Sequence, residues 1–329
     1  MNFLVTGGAG FIGSHLVERL LSDGHRVTIL DSFNDAYNPA FKRRNVAAFR
    51  GRKGFTLVRG DVRDAKAISR AMRHGAFDQI IHLAARAGVR PSLRDPLLYS
   101  DVNIGGTLQL LEAARKHGIP KFIFGSSSSV YGSRQKIPFR EDEPALPISP
   151  YAATKLAGEA LCHSYHHLYG LDVACLRFFT VYGPRQRPDL VIYKFACALM
   201  AGRPLEVFGD GTSRRDYTFV DDIVRGIFAC TQRRLGYEII NLGGSHTVQL
   251  NNLIQLLEKS VDRKARIKHL PDQLGDVPIT SADVSKAKRL LGWRPKVRIE
   301  EGIKRFVEWF LGEHLSAREK RESARKERL

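Results

Sequence analysis

The sequence predicts an α/β fold, a doubly wound parallel sheet joined to a smaller, mixed α/β region. Three observations lead there: short apolar runs alternate with helix-like segments through the first half, spaced glycines follow the first run, and the alternation breaks down beyond about Phe178. Alternating strand and helix patterns are the signature of βαβ units sharing one sheet.

Taken in order, the strand-like runs are Phe3–Val5, Val27–Leu30, Phe55–Val58, Gln79–Leu83 and Lys121–Phe124. Between them lie the helix patterns His15–Leu21, Ala65–Met72 and Thr107–Lys116. Right-handed crossovers bring the loops after such strands to one edge, where ligands bind. Past Phe178, strand candidates Leu205–Phe208 and Tyr237–Ile240 mix with helix patterns Asp221–Cys230 and Leu250–Lys259, so this half reads as a smaller capping region. Pro271–Pro278 reads as an irregular loop and Ile303–Leu311 as a terminal amphipathic helix. From Ser316 onward the chain is charged and poor in apolar residues, which predicts fraying. The expected organisation is a domain over 1–178, a second region over 179–315 with some chain returning to the first, and a tail over 316–329.

With 329 residues, 43% of them hydrophobic, the chain can bury a sizeable core. No apolar stretch is long enough to cross a bilayer and the chain opens into a strand, so a soluble, cytoplasmic protein is expected. Cys162, Cys175, Cys197 and Cys230 lack paired spacing or ligand clusters, which argues for free thiols and no metal site. The formal net charge of +18 is spread along the chain, since the segment 313–329 holds six Lys/Arg against four Glu. No basic run is interleaved with aromatics, so the field suits a phosphorylated small molecule better than nucleic acid.

Gly7-x-x-Gly10-x-x-Gly13 follows a strand and opens a helix. Gly7 can make the tight turn, Gly10 admits a pyrophosphate close to the backbone, and Gly13 permits close helix packing. Asp31, ending the second strand, can accept ribose hydroxyls and would repel the extra phosphate of NADP, and Ser32 supplies no compensating cation. NAD is therefore the expected cofactor. Asp61-Val62 after the third strand and Leu83-Ala84-Ala85 after the fourth offer a polar contact for adenine and small residues for the cofactor to lie against.

Ser149-Pro150 is a helix-start signal that puts Tyr151 and Lys155 one turn apart on one face. An ammonium and a positively charged nicotinamide would both favour phenolate, drawing the Tyr151 pKa toward neutrality and making it a base. Ser126-Ser127-Ser128-Ser129 ends the fifth strand on the same edge, where a hydroxyl could hold a substrate oxygen.

On these motifs, from Val5-Thr6-Gly7-Gly8-Ala9-Gly10-Phe11-Ile12-Gly13 to about Phe310, the chain resembles the extended short-chain dehydrogenase/reductase family, specifically its nucleotide-sugar epimerases and dehydratases. The resemblance implies a Rossmann-type NAD-binding domain, with Tyr151 as base, Lys155 as its electrostatic partner and ribose ligand, and Ser127 as supporting hydroxyl. It also implies that Phe11, Ile12 and Asn103 lie near the cofactor, that Arg215, Tyr217 and Asp276 clamp the nucleotide sugar, and that the protein is a homodimer joined through the helices carrying Leu108, Leu111, Leu161 and Leu168.

Dehydratases of the family carry Asp-Glu where this chain has Ser128-Ser129, and decarboxylating relatives carry Glu at the position of Ser129, so elimination and decarboxylation lack their usual acids. That leaves 4-epimerisation of a UDP-sugar. Ala87-Gly88-Val89-Arg90, Arg177-Phe178-Phe179-Thr180-Val181-Tyr182-Gly183-Pro184, Arg187-Pro188-Asp189 and Gly275-Asp276-Val277 resemble the UDP-glucuronate 4-epimerases, whereas UDP-galactose epimerases carry asparagine at the position of Thr180. Arg90 then faces the nucleotide sugar, and Ser127, Ser128, Ser129, Thr180 and Arg187 could surround a hexuronate carboxylate. The alternatives are a UDP-glucose or UDP-N-acetylglucosamine 4-epimerase, or a non-catalytic NAD- or RNA-binding relative.

Overall fold

The structure, a computed structural model, describes residues 1–273 and 275–326, the side chains of 314–326 excepted. Its strands are β1 (Asn2–Thr6), β2 (Arg26–Asp31), β3 (Phe55–Arg59), β4 (Gln79–His82), β5 (Lys121–Ser127), β6 (Asp172–Phe178), β7 (Thr180–Tyr182), β8 (Leu205–Phe208), β9 (Arg214–Phe219), β10 (Tyr237–Leu242), β11 (Thr247–Gln249) and β12 (Ile267–Leu270). The helices are α1 (Phe11–Ser22), α2 (Pro39–Ala47), α3 (Ala65–Met72), α4 (Val89–Arg94), α5 (Pro96–Ser100), α6 (Gly106–Lys116), α7 (Pro150–Tyr169), α8 (Val191–Met200), α9 (Val220–Thr231), α10 (Leu250–Val261), α11 (Ser285–Leu291) and α12 (Ile299–Lys326).

Seven parallel strands form the main sheet in the order β10-β6-β5-β4-β1-β2-β3. Alternate residues of β1 supply two cores: Phe3 and Val5 pack on one face with Leu16 and Val17 of α1, Leu4 on the other with Leu110 and Leu111 of α6. That division follows from the two-residue period of a strand and makes the sheet doubly wound. Strand order reverses at β1, which lies between β2 and β4, so the switch-point crevice opens beside the glycine turn.

Tyr237–Ile240 does not belong to the capping region as the sequence suggested. It lies within β10, which pairs with β6 at the edge of the main sheet. Its apolar pattern specifies a buried strand but not which sheet receives it. The smaller region holds two separate sheets, β11-β9-β7 and β12-β8. Helix α12 buries Ile303, Phe306, Val307 and Phe310, the spacing of one helical face. Its backbone stays helical to Lys326, past the Ser316 boundary where fraying was expected, and Ala, Arg, Lys and Glu there are strong helix formers. Residues 327–329 of that tail, and position 274 of the Pro271–Pro278 loop, lie outside the described residues. Among the described residues no helix is long and apolar enough to cross a membrane.

Helix α7 starts as its sequence specifies. The Ser149 hydroxyl accepts the Ala152 N–H at 3.2 Å, Pro150 occupies the first turn, and Gly170 closes the other end in a left-handed conformation. Midway, Gly158 faces the Phe124 ring of β5, and a Cβ there would lie 2.4 Å from the ring. A glycine-to-alanine change within a helix ordinarily stabilises by about 0.5–1 kcal/mol. Overpacking costs about 1–3 kcal/mol, so we expect Gly158→Ala to be net destabilising, read as a lower urea midpoint with an unchanged m-value.

Candidate active site

The loops after the parallel strands meet the smaller region around a cleft of about 1400 Å³. Its wall at the β1 end is formed by Gly7, Gly10, Phe11, Ile12 and Gly13, followed by Asp31, Asp61, Val62, Leu83, Ala84 and Ala85. Ser127, Tyr151 and Lys155 stand in the same wall with Arg187 close to Tyr151, and Arg90, Thr180, Arg215, Tyr217 and Asp276 also line the cleft. Ser128, Ser129 and Asn103 do not line it. After Ser127 the chain turns into a short 3-10 segment, Ser128–Tyr131, and the Ser127 hydroxyl caps that turn by accepting the Ser129 N–H at 3.1 Å. Asn103 lies buried in a π-helical turn, where it accepts the Arg86 N–H at 2.8 Å and donates to the Arg86 carbonyl and to Thr154. It braces the loop after β4 from behind.

The glycine turn fits a dinucleotide. Gly7 has φ +71°, and a Cβ there would lie 2.7 Å from the Ala84 nitrogen, while one on Gly13 would lie 2.2 Å from the Gly7 carbonyl oxygen. Only glycines allow the chain to close this tightly and leave the N-terminus of α1 facing the cleft. The Asp31 carboxylate accepts the backbone N–H groups of Ala9 at 3.2 Å and Phe33 at 2.9 Å, which fixes it at the end of β2.

A cation does accompany Asp31, contrary to the sequence reading. Lys42 of α2 donates to it at 2.9 Å, with both side chains nearly buried. Eleven residues separate the two, and helix α2 was not foreseen because its apolar periodicity is weak. Its start was nevertheless written in Asn38-Pro39, whose asparagine side chain accepts the Ala40 N–H. Tyr37, Tyr99 and Phe208 were also missed. Tyr37 lies under both the Lys42 and the Arg187 cations, and the Tyr99 ring meets Tyr151 edge-on at 6.3 Å.

Lys155 donates to the Gly125 carbonyl at 2.6 Å, and burial lowers its pKa to about 8 against the opposing influence of Glu159. Burial raises the pKa of Tyr151, and the groups that oppose the rise are Ser127, through a hydrogen bond, and Arg187, through its charge. Arg187 therefore joins the groups that favour the phenolate. Arg187 is itself gripped by Asp189 through two hydrogen bonds at 3.0 and 2.5 Å.

Arg90 of α4 crosses to the smaller region. It pairs with Asp276 at 2.7 Å and lies over the Phe208 ring at 4.4 Å. Arg215 lines the cleft with no carboxylate within ion-pair distance among the described residues, and burial lowers its pKa. Asp61 pairs with Arg63, which also reaches Asp101.

The family model of GDP-mannose 4,6 dehydratase matches residues 4–306. A UDP-glucuronate 4-epimerase of Thermodesulfobacterium geofontis is 45% identical over 93% of this chain and 95% of its own length. Among solved structures, the UDP-glucuronic acid 4-epimerase of Bacillus cereus in complex with UDP-glucuronic acid and NAD is 38% identical and superposes with a TM-score of 0.89 over 94% of this chain and 98% of that one. A dTDP-glucose 4,6-dehydratase of Streptomyces venezuelae with NAD bound superposes as well, at 0.89, over 95% of this chain and 97% of its own, with 34% identity. The backbone therefore does not distinguish epimerase from dehydratase.

The Asp31–Lys42 pair generates a prediction about cofactor choice. Asp31→Asn frees Lys42 for a 2′-phosphate, so NADP affinity relative to NAD should rise about tenfold, or about 1.4 kcal/mol. Adding Lys42→Met should cancel the gain. Competition binding to cofactor-stripped protein reads both, and an unchanged ratio in Asp31→Asn would contradict the assignment.

Proposed function

Since the chain belongs to the GDP-mannose 4,6-dehydratase family of extended short-chain dehydrogenase/reductases, we propose that it is an NAD-dependent 4-epimerase interconverting UDP-glucuronate and UDP-galacturonate. The observation that carries the uronate reading is Arg187, a cation four-fifths buried in the cleft wall and close enough to Tyr151 to act on its ionisation, in a site without the acids that elimination requires.

Gly7, Gly10 and Gly13 would hold the NAD pyrophosphate, Asp31 its adenosine ribose, and Lys155 the ribose next to nicotinamide. When bound, NAD supplies the reversible hydride acceptor that opens C4 to a ketone and lets it be closed from the other face. Tyr151 takes the O4 proton and later returns it, and Ser127 hydrogen-bonds the same oxygen. Arg215 and Tyr217 hold the diphosphate end while the ring turns over. The 4-keto uronate is a β-keto acid, and it loses carbon dioxide when its carboxylate bond aligns with the carbonyl π system. Arg187 and Thr180 bind the carboxylate and hold it out of that alignment. Ser129, which bonds the Ser127 hydroxyl through its backbone N–H and its own hydroxyl, acts through the orientation of Ser127.

We extend the reading to a homodimer in the cytoplasm. Leu108 of α6 and Leu168 of α7 are 41% and 64% exposed, which supports a contact through these helices, whereas Leu111 is fully buried in the core and cannot contribute.

Proton NMR of the protein with UDP-glucuronate, UDP-glucose and UDP-N-acetylglucosamine in separate reactions, without added NAD, should give a C4-inverted product with the uronate. Inversion only of a neutral sugar would replace the uronate reading, and no inversion at all would remove the epimerase. Arg187→Gln should raise KM for UDP-glucuronate about tenfold, leave any UDP-glucose binding nearly unchanged, and increase carbon dioxide release. Unchanged uronate KM and gas release would show that Arg187 does not hold the carboxylate.

A further inference from the structure

Tyr151, Lys155 and Glu159 follow one another at single-turn intervals along α7, and each engages a different one of three consecutive residues at the end of β5. Tyr151 meets Ser127 in the cleft wall, Lys155 donates to the Gly125 carbonyl at 2.6 Å, and Glu159 accepts the Ser126 hydroxyl at 2.6 Å. Glu159 is held from β6 as well, where Arg177 donates to both of its carboxylate oxygens at 2.9 and 2.8 Å. The two side chains are 3% and 2% exposed, and neither lines the cleft. An ion pair this deeply buried gains little stability over an apolar pair of the same volume. Its presence one turn behind a buried lysine calls for another account.

From this arrangement we infer that Glu159 is a positioning residue for the acid–base pair, fixing the register of α7 on β5 and keeping the Lys155 ammonium charged in a site that otherwise disfavours charge. Burial is the largest influence on Lys155, and Glu159 is the first of the groups that oppose it. The other groups around the pair are Cys162 on α7, Cys175 of β6, Tyr237 of β10 and His82 of β4, whose own pKa burial lowers to about 3, with the charge of Lys155 adding to that effect. Beneath the ammonium lies the Phe124 ring, 4.9 Å away, and the Arg177 guanidinium stacks on Tyr131 at 4.6 Å. Apart from Glu159, no described carboxylate is paired with Arg177.

The consequence for turnover rests on the epimerase reading, but the charge state of Lys155 does not. In the NAD-loaded protein, a 13C NMR titration of lysine Cε, assigned with Lys155→Met, reads Lys155 directly. Glu159→Gln keeps the shape and the Ser126 hydrogen bond but removes the charge, so the Lys155 midpoint should fall by about one pH unit. Ser126→Ala removes the hydrogen bond and keeps the charge, so the midpoint should stay within about 0.3 units. If Glu159→Gln does not fold, the apolar pair Glu159→Leu with Arg177→Met should show a fall in the same direction, smaller because a cation is removed with the anion. With a converted sugar, Glu159→Gln should move the alkaline limb of the kcat profile down by the same amount and lower kcat about fivefold near pH 8, with KM unchanged. A folded variant of either kind with the parental Lys155 midpoint overturns the inference. A shifted midpoint in a protein that inverts no UDP-sugar would instead count against the epimerase reading alone.

Discussion

Everything in the site depends on how closely one helix lies on one strand. Helix α7 can approach β5 because Gly158 presents no side chain to Phe124, and the approach sets the heights at which Tyr151 and Lys155 reach the strand end. Beyond the strand, Arg177 and Glu159 close the contact with charge in place of apolar volume. Burying that pair costs solvation, and the cost is offset only when every bond between the two groups is made. Any slip of the helix would break those bonds together, so the pair punishes misregister more sharply than a leucine contact could.

The dispersed positive charge finds a local meaning in the cleft. Lys42, Arg90, Arg187 and Arg215 line it, and three of the four are held by a single carboxylate each, from Asp31, Asp276 and Asp189. Such pairs keep long cationic side chains ordered at partial neutralisation, ready to exchange a carboxylate partner for a ligand's anionic oxygen. Arg215 alone among these four has no such partner among the described residues. Two pyrophosphates, one from a dinucleotide and one from a nucleotide sugar, suit a cleft with this distribution.

The sheet was legible because it rests on local rules. Strand and helix periods located β1 to β5 with α1, α3 and α6, and Ser149-Pro150 gave the start of α7. What sequence could not carry was partnership across distance. The run that became β10 is equally apolar in either region, and only its pairing with β6 decides its place. Lys42 was invisible beside Asp31 because a weakly amphipathic helix intervenes. That Arg187 also acts on the Tyr151 phenol could not be read, because only folding brings its loop to helix α7. Glu159 was passed over because a carboxylate in a helix gives no hint that it will be enclosed.

The return of β10 to the main sheet has mechanical weight. The segment between β6 and β10 carries β7, β8 and β9, and it leaves from one sheet strand and comes back to the neighbouring one. A lobe sewn to its base at both ends cannot swing on a single hinge as a door does. Any change in the width of the crevice must therefore be absorbed at both junctions, after β6 and before β10.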